Sequence, residues 1–118
     1  MNTKKQIRNN FRTLVFTRDK YRCKICNKPG SDRQGGEEWK KYHSSPSVQL
    51  DAHHITDRSL IINQGYVPEN GITVCDNCHL LVEEFHLTGK CQEGLHPDDL
   101  YRMIGSSLEK AIEASSGV

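Results

Sequence analysis

No stretch of this chain approaches the roughly 20 apolar residues that a membrane-spanning helix requires, and the material of a large core is scarce. Hydrophobic residues make up 35% of the 118 positions and aromatics 7%, with one Trp. A membrane span is therefore excluded, and what remains is a single small domain, 1–118, with a core thin enough to need a staple. No apolar segment follows Met1-Asn2-Thr3-Lys4-Lys5. A secretory leader is not expected, and the protein is expected to be intracellular.

Cysteine, by contrast, comes in pairs. Of five cysteines, Cys23 and Cys26 form one Cys-x-x-Cys, Cys75 and Cys78 another, and Cys91 stands apart as a free thiol. Without a secretory leader this spacing reads as metal ligation, with disulfides as the minor alternative. Four thiolates suit a tetrahedral zinc with Zn–S bonds of about 2.3 Å. The 48 residues between the pairs mean that such a zinc would clamp distant parts of the chain. It would also leave His53, His54 and His79 free for other chemistry.

The net charge of +1 hides an asymmetry: residues 1–28 carry nine basic residues against Asp19 alone, while the remainder has seven basic and fourteen acidic ones. Lys4, Lys5, Arg8, Arg12, Arg18, Lys20 and Arg22 lie in that basic stretch. Two readings stand side by side, a surface for a polyanion or a solvated helix face.

Thr3 and Gln6 have the spacing of a capping box, and Ile7, Phe11, Leu14 and Val15 follow at helical intervals, predicting a helix over 4–17 in a basic arm of residues 1–20. Residues 27–47, rich in Gly, Ser, Pro and charge, read as an insertion loop in which Trp39 serves as an anchor. Val48 to Ile55 alternates like a strand. Adjacent strand residues point to opposite faces, so His53 and His54 can serve one site only if the strand breaks there, and a break is expected. The long connection 56–70 is read as functional. Gly71–Val74 reads as a second strand, Asp76 as the N-cap of a helix reaching Leu87, and 97–114 as one C-terminal helix opened by Pro97-Asp98-Asp99, with Leu100, Ile104, Leu108, Ala111 and Ile112 as its stripe. His43 and His96 lie in expected loops and receive no role.

The order His53-His54, then Asn70, then His79 inside a frame of paired cysteines resembles the HNH endonuclease family, the His-Me finger or ββα-metal nucleases, and Arg18-Asp19-Lys20-Tyr21-Arg22-Cys23-Lys24-Ile25-Cys26 resembles the segment leading into the first knuckle of its zinc-containing members. The resemblance spans about residues 11–86. It implies an α+β fold, a small ββα-metal domain stapled by a four-cysteine zinc (core 21–88) between flanking N- and C-terminal helices. It also implies a phosphodiester hydrolase in which His53 and His79 hold a catalytic divalent metal, His54 is the general base, and Asn70 pins the loop that aims His54. His53 stands where the family commonly has aspartate. Imidazoles suit zinc or nickel where oxygen ligands suit magnesium, so Mg2+, Mn2+, Ni2+ and Zn2+ are all candidates.

Three more residues have two readings each. Asp51, two positions before His53, is either an acceptor orienting that imidazole or a solvated carboxylate. Glu83 and His86 share a helix face with His79 and are either a further ligand or phosphate contact, or a surface carboxylate and a helix-end histidine. The expected partner is nucleic acid, foremost double-stranded DNA bound through the basic arm, by a monomer or a homodimer. Small proteins of this kind are common in phages and bacteria, which places the chain in the cytoplasm, a host's if phage-encoded. The competing readings are a zinc-dependent nucleic-acid-binding module without catalysis, a nuclease for branched DNA or RNA, and a structural protein held by zinc.

Overall fold

Thr3 starts the first helix as its sequence predicts. In the computed structural model, which describes residues 3–117, its hydroxyl accepts from the Gln6 amide at 3.2 Å and the Gln6 side chain accepts from the Thr3 N–H at 2.8 Å. Helix α1, Lys4–Arg18, follows. Its buried face is Phe11 and Val15, joined by Phe16, which leaves the expected stripe to pack on Tyr21, while Leu14 points outward. Full burial of each such side chain stabilises by about 1.5–3 kcal/mol.

The insertion is more ordered than its composition predicts. Gly30–Asp32 forms strand β1, paired in parallel with the start of β2, Val48–His54. Glycine is required at position 30, because a Cβ there would lie 2.5 Å from the Leu50 side chain. Between β1 and β2, Trp39 sits half-buried against the core and stacks on His43, whose Nε2 meets the carbonyl of Gly30 at 3.0 Å. The short strand escaped notice because three residues carry no periodicity.

Strand β3, Gly71–Cys75, pairs antiparallel with β2, so the sheet order is β1-β2-β3. Residues opposite each other share a face. Ala52 and His54, with Thr73 and Gly71 across from them, look toward α1; Asp51 and His53, with Val74 and Ile72, look toward helix α2, Asp76–Thr88. Gly71 lets α1 approach, since a Cβ there would come within 2.5 Å of Val15 and 2.7 Å of Phe11. Arg18 completes this junction by donating to the carbonyls of Pro68 and Gly71, both at 2.7 Å, while paired with Asp19. Its guanidinium thus also braces the fold.

Strand β3 runs straight into α2, whose N-cap is Cys75 and not Asp76 as predicted, and which ends at Gly89 in the left-handed region (φ 75°). The C-terminal segment is two helices, not one: α3, Pro97–Met103, and α4, Leu108–Ser116. Gly105 (φ 68°) turns the chain between them and Ser107 caps α4 by accepting from the Lys110 N–H at 3.1 Å. The apolar stripe is split accordingly, with Leu100 and Ala111 buried and Leu108 and Ile112 exposed. His96, assigned nothing from sequence, caps α3 by accepting the Asp98 N–H at its Nδ1.

Candidate active site

Two clusters of metal-ligating side chains flank the ββα unit formed by β2, β3 and α2. The first unites the two knuckles. A tight turn closes Cys23–Cys26, with the Cys26 N–H directed at the Cys23 sulfur and the Lys24 N–H donated to the Thr73 carbonyl at 2.9 Å, so the knuckle is sewn to β3. Cys75 ends β3 and Cys78 lies in the first turn of α2. The four sulfurs lie within 4.8 Å of one another, with Cys26 and Cys75 at 3.7 Å. A tetrahedron with Zn–S bonds of about 2.3 Å has edges of about 3.8 Å, so the donor set fits zinc. Burial, reinforced by the neighbouring thiols, pushes Cys78 up from the ordinary thiol value. A bound cation removes that difficulty by taking the thiolates as ligands. Cys91 lies outside the cluster.

The second cluster is His53, His79 and Glu83, again with ligand atoms within 4.8 Å of one another. Glu83 Oε2 is the shared corner, 3.3 Å from His53 Nδ1 and 3.5 Å from His79 Nε2. Bonds of about 2.0–2.2 Å to N and O donors give similar edges, so these residues also fit a divalent ion, with two nitrogens and an oxygen. His53 is almost wholly buried, its Nε2 has no hydrogen-bond partner among the described residues, and burial holds the imidazole below its ordinary pKa, in the neutral form that ligates.

Three residues around this cluster have two readings each in the sequence. Asp51 orients His79, not His53: its Oδ2 lies 3.4 Å from His79 Nδ1. That leaves His79 Nε2 directed at Glu83 Oε2, the shared corner. Asp51 is itself gripped by Arg33, at 2.9 and 3.2 Å, and Arg33 also pairs with Asp76. Glu83, rather than His86, completes the cluster with His53 and His79. His86 stacks on His53 with ring centroids 5.0 Å apart and donates from Nε2 to the His54 carbonyl at 2.8 Å, so it braces the strand end.

The predicted break at the histidine pair does not occur. β2 remains paired through His54, opposite Gly71, and the two imidazoles leave on opposite faces. His53 joins α2, and His54 is clasped between Phe11, stacked at 4.5 Å, and Tyr66, edge-on at 4.7 Å. Burial first, then Arg58 and His53, lower the His54 pKa to about 4. The ring is neutral at physiological pH, its Nε2 buried without a hydrogen-bond partner among the described residues.

Directly after His54 the chain enters the loop that Asn70 closes. Asn70 is fully buried, and its Oδ1 accepts from the Thr56 N–H (2.9 Å) and the Tyr101 hydroxyl (2.7 Å), while Nδ2 donates to the carbonyls of Thr56 (3.1 Å) and Gly65 (3.2 Å). Gly65 (φ 63°) is needed for that approach, since a Cβ would stand 2.5 Å from the Asn70 amide nitrogen. Tyr101, on α3, carried no sequence signal for this role, nor did Arg33 in the insertion.

A ββα unit bearing one thiolate cluster and one His/His/Glu cluster defines a small metal-binding domain of the ββα type. The family model of the HNH endonucleases matches residues 23–84, a little over half of the chain, and the protein belongs to that family. No curated protein and no solved structure matches it.

Proposed function

We propose that the protein is a divalent-metal-dependent endonuclease that hydrolyses DNA phosphodiester bonds at the end of β2. The observation that carries this reading is the placement of His53, His79 and Glu83 on one side of that strand end and the neutral His54 on the other, with Asn70 locking the loop between them. The Cα atoms of His53 and His54 are separated by the fixed span of one trans peptide, about 3.8 Å. In this reading the scissile phosphodiester lies across the strand end, between the two flanks.

In this scheme His53, His79 and Glu83 hold the catalytic ion, and Asp51, held by Arg33, orients His79. When bound, the ion supplies Lewis-acid stabilisation of charge on the phosphate and on the departing 3′-oxygen. His54 accepts a proton at its imidazole from the water that attacks phosphorus, leaving 5′-phosphate and 3′-hydroxyl ends. Asn70 and Tyr101 hold the loop from which that ring is aimed. Cys23, Cys26, Cys75 and Cys78 hold a structural zinc that fixes β3 and α2 relative to the first knuckle. The set of two imidazoles and one carboxylate accommodates Mn2+, Ni2+ and Zn2+ better than Mg2+.

The test is incubation of supercoiled plasmid, a branched junction, single-stranded DNA and RNA with the zinc-loaded protein in each of these metals or in their absence. Metal-dependent nicking or linearisation of duplex is expected. Binding without cleavage of any of these substrates would leave a zinc-dependent binding module instead.

A further inference from the structure

The flank of β2 occupied by His54 leads to a second feature. A cleft of about 400 Å³ opens between the start of α1 and the loop after β2, lined by Lys4, Arg8, Asp57, Arg58, Ser59 and Tyr66 among others. Its charge balance is three cations to one acid, and that acid is engaged, since Asp57 accepts from the N–H and hydroxyl of Ser59. Elsewhere the arginines near this arm have strong acceptors: Arg12 pairs with Asp32, Arg18 with Asp19 and two carbonyls, Arg33 with Asp51 and Asp76. Arg58 instead donates to the Tyr66 hydroxyl at 2.7 Å, and Arg8 lines the same cleft beside that ring. Burial would raise the phenol, yet the two guanidiniums hold it below its ordinary value. Two guanidiniums thus face the cleft beside one phenol, while the carboxylate that lines it, Asp57, is engaged by Ser59. Two forked donors match the non-bridging oxygens of a phosphate.

Tyr66 also forms the wall between this cleft and the proposed base, because the same ring stands edge-on to His54 at 4.7 Å. We propose that the cleft is a subsite for a nucleic-acid backbone phosphate distinct from the one at the His53 face, gripped by Arg8 and Arg58 with Lys4 at the rim, and that Tyr66 couples its occupancy to the placement of the His54 ring. The identity of the ligand as a nucleic-acid phosphate rests on the nuclease reading. The cleft's charge and geometry do not depend on it.

The experiment measures binding of a fluorescent DNA duplex to zinc-loaded protein without added divalent metal, across a salt series, for wild type, Arg8→Ala, Arg58→Ala, the double variant and the distant Lys90→Ala. Each arginine substitution should weaken binding about tenfold and flatten the salt dependence by about one unit of slope, with Lys90→Ala like wild type. In a parallel titration with inorganic phosphate, the His54 ring resonances should shift in wild type and stay still in the double variant. Unchanged affinity and slope in both arginine variants, with no phosphate-induced shift, would overturn the subsite, even if plasmid cleavage is normal. A phosphate-induced shift with unaltered duplex binding would overturn the nucleic-acid assignment and leave a site for small phosphate ligands. Weakened binding in a protein that cleaves nothing would uphold the subsite while removing the nuclease reading.

Discussion

Asn70→Ala removes a buried side chain with four hydrogen bonds of 2.7 to 3.2 Å, two of them fully buried and the two to Thr56 partly so. The Thr56 N–H loses its acceptor outright, and the carbonyls of Thr56 and Gly65 lose a donor. The Tyr101 hydroxyl retains the Thr56 hydroxyl at 2.6 Å and suffers least. Stranding a buried donor or acceptor costs about 1–3 kcal/mol. A water admitted to the vacated space can recover part of the carbonyl loss, so the expected total is about 3–5 kcal/mol, a large share of a small domain's 5–15 kcal/mol. Urea unfolding of zinc-loaded wild type and variant measures it as a lower midpoint at equal slope. Tyr101→Phe, which removes the hydroxyl alone, should cost about 1–2 kcal/mol, and the double variant should cost less than the sum because the partners are shared. DNA cleavage should fall in Asn70→Ala with affinity for DNA little changed. A loss below about 1 kcal/mol, with turnover intact, would refute the view that this amide locks the loop.

Cys75→Ser should release zinc and lower the melting temperature, because thiolate–metal bonds contribute folding energy, whereas Cys91→Ser should change neither; zinc analysis with thermal melting checks both, and an unaltered melting temperature in Cys75→Ser would count against a structural zinc. Glu83→Gln should weaken Mn2+ or Ni2+ binding at the histidine cluster about tenfold or more while zinc content stays normal, and His86→Ala should affect it far less. Calorimetric metal titration distinguishes them, and equal losses would contradict the choice of Glu83 over His86. Asp51→Asn should cost about tenfold in the same titration through His79, with a smaller loss for Arg33→Ala, and no change in Asp51→Asn would remove it as the orienting acceptor.

The elements with a strong local signal were legible in the sequence. Thr3 and Gln6 announced α1, the alternation of Val48–His54 announced β2, and the Cys-x-x-Cys spacing announced a cluster that the fold brings together. The features that escaped depend on distant residues. Helix periodicity runs on through Gly105, yet the glycine and the capping Ser107 divide the C-terminal segment in two. Asp51 and His53 share a strand face, which made His53 the natural partner of the carboxylate; only the docking of α2 brings His79 within reach. Likewise, Tyr101 meets Asn70 across 31 residues, and no local pattern encodes that contact. The expected strand break rested on a sound rule about alternation. The strand instead stays paired through His54, so the two imidazoles flank its end, and the proposed site draws on both flanks.

The role of His54 is tested most directly by single-turnover cleavage of a bound DNA duplex by wild type and His54→Ala, compared at equal zinc content and saturating protein in the best-supporting metal. A loss of about a hundredfold or more in the rate, with duplex affinity and metal binding at His53, His79 and Glu83 retained, is the expected result for removal of a general base. Cleavage by His54→Ala at the wild-type rate would contradict the account.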